Sequence, residues 1–132
     1  GFDIKYDGLK ELKMSINSFN ENRYLNQFEK VELIKGDALK TIPKYIENNS
    51  HLIISLLFLD FDLYEPTRVA LEHFLPLIPK GGIIAFDEVN NKFWPGETKA
   101  VLEKFGDFNG YKLEKFTFDP NISYIILNWG IK

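Results

Sequence analysis

The 132-residue sequence predicts an α/β domain whose doubly wound, mostly parallel sheet closes on a C-terminal antiparallel hairpin, and three observations carry that prediction. Strand-like and helix-like runs alternate over short connections. The run Leu52 to Leu59 (LIISLLFL) is almost continuously apolar, the pattern of a strand covered on both faces. The last two β-rich stretches are separated only by Asp119-Pro120-Asn121, whose turn chemistry favours a tight reversal.

Taken in order, Phe2 to Ile4 reads as a short strand and residues 9 to 28 as a loosely amphipathic helical stretch. Val31 to Gly36 (VELIKG) is β-rich, and Asp37 then stands before Ala38 to Asn49, where Leu39, Ile42, Tyr45 and Ile46 recur at helical spacing. That is strand, cap, helix. After the strand Leu52 to Leu59 come Asp60 and Asp62, and from Thr67 to Ile78 the positions Val69, Ala70, Leu71, Phe74, Leu75 and Ile78 make a helical stripe stopped by Pro79 and Gly81-Gly82. A second apolar strand, Ile83 to Phe86, again ends in acid, Asp87 and Glu88. Beyond an Asn-rich loop with Trp94-Pro95-Gly96, Glu97 to Phe105 shows Ala100, Val101, Leu102 and Phe105 as its apolar face. Lys112 to Phe118 and Ile122 to Trp129 complete the hairpin. With no repeat, low-complexity tract or linker, residues 1–132 are expected to form one domain.

Composition narrows the partners. A net charge of -3 gives no field that would gather nucleic acid or an anionic membrane, so a small-molecule or protein partner is expected. No apolar run approaches a membrane span and GFDIKYDG is not a signal sequence, which predicts a soluble chain. Zero cysteines exclude disulfides and thiolate metal sites and suit the cytoplasm. Residue 1 is Gly and the one Met is Met14, so the chain reads as processed, tagged or truncated.

In sheets of this class, sites form beyond the carboxyl ends of the strands, where Asp3, Asp37, Asp60, Asp62, Asp87 and Glu88 fall. Each has two readings. Asp60 and Asp87, with Glu88, are candidate ligands for a divalent cation such as Mg2+, which would lower the pKa of a substrate hydroxyl; strand-end carboxylates also simply cap helices and solvate loops. Asp37 is by position an N-cap, or it faces the edge of a purine together with Ala38. Asp3 is a solvated strand-end residue or a partner for ribose hydroxyls. His51 and His73 read as ordinary, and no nucleophile elbow, phosphate loop or zinc signature is present. Phe93 and Trp94 are either an apolar lid or packing anchors. No general base stands out.

The string Leu59-Asp60-Phe61-Asp62-Leu63-Tyr64-Glu65-Pro66-Thr67, then Ala70-Leu71, then Lys80-Gly81-Gly82-Ile83-Ile84-Ala85-Phe86-Asp87-Glu88, resembles the macrocin or deoxysugar O-methyltransferases, class I enzymes dependent on S-adenosylmethionine (SAM). Pro95-Gly96-Glu97-Thr98-Lys99-Ala100-Val101 is similar to the family's G-x-x-K-A-V helix start, and Gly36-Asp37-Ala38 to its adenine-side motif. The likeness covers roughly residues 30 to 130. It implies a Rossmann-like fold and methyl transfer from SAM to a hydroxyl of a deoxysugar or glycan. Asp3, Gly36, Asp37, Ala38 and Asp60 are implied cofactor contacts, and Asp60, Asp87 and Glu88 implied metal positions, with Glu88 where relatives carry Asp or Asn. It also implies that the family's first βα unit, with its glycine-rich turn, would precede residue 1. On that basis the chain is expected to bind SAM poorly or not at all, and to self-associate, as a homodimer, over an exposed sheet edge. The other reading is a non-catalytic α/β module serving binding or assembly.

Overall fold

A computed structural model describes residues 8–106, 110–119 and 121–128. The chain divides into two compact units, residues 1–35 and residues 36–132. In the first, α1 (Gly8–Asn22) is the regular element, followed by a turn in which the Arg23 guanidinium donates to the carbonyls of Leu25 and Phe28. Val31 to Gly36, expected as a strand, is irregular and exposed. A β-rich segment needs a hydrogen-bonded neighbour to become a strand, and none pairs with it among the described residues. The expected strand Phe2 to Ile4 lies outside the described residues.

The second unit begins with α2 (Ala38–Asn48) and continues through β1 (Leu56–Leu59), α3 (Tyr64–Phe74) with a 3-10 turn (Leu75–Leu77), β2 (Ile83–Phe86), α4 (Pro95–Phe105), β3 (Leu113–Lys115) and β4 (Ser123–Ile126). The sheet order is β1-β2-β4-β3. β1 and β2 are parallel, joined by the right length of helix for a crossover, while β4 runs antiparallel to β2 and β3 antiparallel to β4. The α/β class and the terminal hairpin are as expected; the described sheet holds one parallel pair and two antiparallel ones, because the other predicted strands either fail to pair or lie outside the described residues. β2 has the expected bounds, while β1, β3 and β4 are shorter than the runs that announce them. Leu52 to Ser55 leads into β1 outside its range, though the Ser55 carbonyl already accepts from the Ile83 N–H at 2.9 Å.

Register decides which side chains meet. Leu57, Ile84 and Ile125 align across the sheet, as do Leu59, Phe86 and Ser123, and all are buried on one face against Val69, Leu71 and Leu75 and against Val101 and Phe105. The opposite face carries Leu56, Phe58 and Ile126, which stay largely exposed. Phe116 stacks with Tyr124 at 4.8 Å between ring centroids. Among the described residues no helix is long and apolar enough to cross a membrane.

Candidate functional site

The backbone first fixes a rim. Asp60 follows β1 and Asp87 follows β2, and the Asp87 N–H donates to the Leu59 carbonyl at 3.1 Å, so the two acids leave adjacent strands side by side. Burial, and then the neighbouring carboxylates of Asp60, Glu88 and Asp62, holds the Asp87 carboxyl above the usual carboxylate range. Asp62 occupies a positive φ of 57°, and the Leu63 N–H closes on the Phe61 carbonyl at 2.5 Å, a three-residue turn that non-glycine residues rarely accept.

Three of the expected cofactor residues come together on one side of this rim. Gly36, Asp37 and Ala38, with Leu39, form one wall of a cavity of about 610 Å³ whose other wall is Phe61, Leu63, Tyr64, Glu65 and Pro66. Asp37 caps α2: its carboxylate accepts from the Leu39 N–H at 3.0 Å while its carbonyl accepts from Lys40 and Thr41, both at 2.9 Å. The capping reading of Asp37 is therefore realised, and it leaves the residue on the cavity wall as well. Asp60 does not line the cavity, though its neighbour Phe61 does. Asp3 lies outside the described residues. Apolar Leu39, Phe61 and Leu63 beside polar Asp37 and Glu65 make a surface suited to a nucleoside, with a flat apolar body and a few polar edges.

Glycine matters where α4 approaches this wall. A Cβ on Gly96 would stand 2.5 Å from the Tyr64 nitrogen and 2.6 Å from the Asp62 oxygen, both backbone atoms, so only glycine lets the start of α4 lie against the 62–64 turn. On the same stretch the Lys99 ammonium sits 4.3 Å from the centroid of the Tyr64 ring, and the Tyr64 hydroxyl donates to Glu103.

The expected metal set is not gathered. Among the described residues no three His, Cys, Asp or Glu side chains are arranged to hold one ion, and the Glu88 carboxylate instead accepts from the Asn91 side-chain amide. As arranged, Asp60, Asp87 and Glu88 do not fit a metal. The Glu88 carboxylate is engaged by a neutral donor in its own loop, and Asp60 is exposed.

Sequence reasoning missed Glu97. It is fully buried in the first turn of α4; one carboxylate oxygen accepts from the Glu88 N–H at 2.7 Å and the other has no partner among the described residues. Burial pushes its carboxyl up to about 7; the bond from Glu88 opposes this, and the charges of Asp87, Asp62 and Asp60 add to it. Beside it the Thr98 hydroxyl accepts from the Asn90 N–H at 2.8 Å. A signal existed: Glu97 stands three and four residues ahead of Ala100 and Val101, on the buried stripe of its helix.

On the other side of the rim, Glu88, Val89, Asn90, Asn91, Lys92 and Phe93 line a second cavity of about 290 Å³ with Lys115 and Asn121 from the hairpin. Phe93 is 74% exposed and Trp94 48%, so these aromatics border solvent and are not core anchors.

Residues 14–124 match the O-methyltransferase family profile. The chain belongs to the O-methyltransferase family. The match runs through the α1 region, both cavities and the hairpin as far as Tyr124. Two solved structures of CalS11, described as a TDP-rhamnose 3'-O-methyltransferase of calicheamicin biosynthesis, share the fold: one at TM-score 0.85 and 31% identity over 99% of this chain and 56% of that one, the other at TM-score 0.85 and 32% identity over 97% and 49%. The O-methyltransferase NovP superposes at TM-score 0.67 with 21% identity, over 97% of this chain and 55% of its own, a likeness of fold alone. This O-methyltransferase family chain thus spans about half the length of the structures it matches. No curated protein matches it.

Proposed function

We propose that the chain carries the nucleoside-binding part of a SAM-dependent O-methyltransferase acting on a sugar hydroxyl, with both units belonging to one domain. The observation that carries this reading is the 610 Å³ cavity between Gly36–Leu39 and Phe61–Pro66, placed beside the Asp60 and Asp87 rim. The sugar acceptor is supported by the likeness to CalS11, and the single domain by a family match that runs across both units. A homodimer is favoured by the exposed Leu56, Phe58 and Ile126 face, and a cytoplasmic setting by a cysteine-free sequence.

When bound, SAM would supply a sulfonium methyl group: a hydroxyl oxygen attacks the methyl carbon in line, the C–O bond forms as the C–S bond breaks, S-adenosylhomocysteine leaves as the neutral thioether and the hydroxyl proton passes to water. The chain's own residues hold and orient. Asp37 and the Ala38 backbone border the cavity where a purine edge would lie, and Leu39, Phe61 and Leu63 exclude water from its faces. The carboxylates of Asp60, Asp62 and Asp87 place negative potential at the rim, which favours a cationic sulfonium there over a neutral thioether. Asp60, Asp87 and Glu88 are not arranged for Mg2+, so no step is assigned to a metal.

Because the cavity is built wholly from residues 36–66, this reading departs from the expectation of poor cofactor binding. Amide resonances followed during titration with S-adenosylhomocysteine test it. Saturable shifts concentrated at residues 36–39 and 61–66 are expected. Shifts elsewhere, or none, would favour the non-catalytic module.

A further inference from the structure

The cavity between Gly36–Leu39 and Phe61–Pro66 takes no lining residue from α4, yet α4 holds one of its walls. α3 and α4 pack together, and Tyr64 is at once the first residue of α3 and part of that wall. Leu63, the N-cap of α3, offers no side-chain hydrogen bond. Bracing of the wall from outside its own segment comes from the neighbouring helix.

Gly96, Lys99 and Glu103 follow one another at spacings of three and four, so a single stripe of α4 carries all three. Gly96 lets the start of the helix lie against the backbone of residues 62 to 64. The Lys99 ammonium then lies 4.3 Å from the centroid of the Tyr64 ring, and the Glu103 carboxylate accepts from the Tyr64 hydroxyl. Lys99 and Glu103 have the spacing of an ion pair, but among the described residues no ion pair joins them; both engage Tyr64 instead. The ring is thereby held at its face and at its tip, from successive turns of one helix. The hydrogen bond to Glu103 also raises the Tyr64 hydroxyl above its ordinary pKa, which keeps it a donor through neutral pH.

We infer that Lys99 and Glu103 are positioning residues for the cofactor cavity, acting through Tyr64 to set the wall against which the nucleoside lies. The inference rests on the cofactor reading of that cavity. A wall already held in place loses little freedom when a ligand arrives, so the two contacts act on affinity. Side chains that only joined α3 to α4 would act on stability and leave affinity untouched.

Calorimetric titration of S-adenosylhomocysteine into a set of variants, with melting temperatures from the same preparations, tests the assignment. Lys99→Met, which keeps the side chain's length and removes its charge, should weaken binding about threefold. Lys99→Arg keeps a cation for the ring and should restore it. Glu103→Ala should weaken binding to a similar degree, and Glu103→Gln, which keeps an acceptor, should weaken it less. In a Tyr64→Phe background Glu103→Ala should have no further effect, because its donor is gone, whereas Lys99→Met should still weaken binding, because the ring remains. Lys104→Met, which removes the same charge elsewhere on α4, should leave affinity unchanged. Equal losses from Lys99→Met and Lys99→Arg, the same loss from Lys104→Met, or a full further loss from Glu103→Ala in the Tyr64→Phe background would overturn the inference. So would variants that melt lower and bind as wild type does, a result that leaves the cofactor reading standing. Absence of binding by wild type is the different outcome in which the cofactor reading itself fails and the positioning role falls with it.

Discussion

Glu97 shows how one buried carboxyl couples the loop to pH. Its acid is held at about 7 in the folded chain against an ordinary value of 4.5, so the folded state binds the proton more tightly than the unfolded state does. Its contribution is therefore fully present below pH 4.5 and is lost as pH rises toward about 7, the reverse of a salt-bridged carboxylate. Asp87, also raised, adds in the same direction. Urea unfolding at about pH 5 and about pH 8 should show wild type losing stability over that span, and Glu97→Gln, which keeps an oxygen for the Glu88 N–H, losing less. An identical slope in both would show that Glu97 does not carry it. Glu97→Ala should instead cost about 1–3 kcal/mol at about pH 5, because the Glu88 N–H is left unpaired, and less at about pH 8, where the wild-type carboxyl has lost its contribution. At this scale the sequence was uneven. Asp37 was legible as a cap from its place between a β-rich run and a helical pattern, whereas the positive φ of Asp62 and the contact that requires Gly96 depend on atoms far apart in the chain. The Asp60, Asp87 and Glu88 convergence was a topological expectation, and side-chain partners such as Asn91 decide whether carboxylates at one rim face a common point.

At the scale of the element, α3 begins on Leu63, an N-cap without a side-chain hydrogen bond, although Glu65 lies favourably in the first turn. An acid there would accept from the free N–H groups, so Leu63→Asp should raise stability by about 0.5–2 kcal/mol in thermal or urea melts. A lower stability would mean that Leu63 packs more than its 60% exposure indicates. Helices were the more legible elements because their stripes need only local spacing: α2, α3 and α4 fall within a few residues of the pattern. Strands were less so. Val31 to Gly36 has β-rich composition but pairs with no strand among the described residues, and Leu52 to Ser55 is the part of an apolar run that precedes β1. Register then separates two phenylalanines that composition treats alike. Phe86 faces the core and is 0% exposed, while Phe58 is 48% exposed on the opposite face. Phe86→Ala should cost about 3–5 kcal/mol. Phe58→Ser should cost under about 1 kcal/mol, and comparable losses from the two would contradict the register.

For the whole molecule, the candidate parts follow one another along the sheet. The cavity proposed for the nucleoside lies beyond β1, the acids stand at the ends of β1 and β2, and the second cavity lies between β2 and the hairpin. The α/β class, the terminal hairpin and the family were legible because the motifs sit at strand ends and helix starts, where local chemistry repeats. The second cavity was not, since Lys92 and Lys115 meet only after β3, β4 and β2 pair. Leu63 joins the scales: the substitution that caps α3 also puts a charge on the apolar wall of the nucleoside cavity. The most direct test is calorimetric titration of S-adenosylhomocysteine into wild type and Leu63→Asp. Saturable one-to-one binding by wild type, with affinity reduced at least about tenfold in a variant that melts no lower, is the expected result. Binding that is absent from wild type, or equal in both proteins, would contradict the assignment of this cavity to the cofactor.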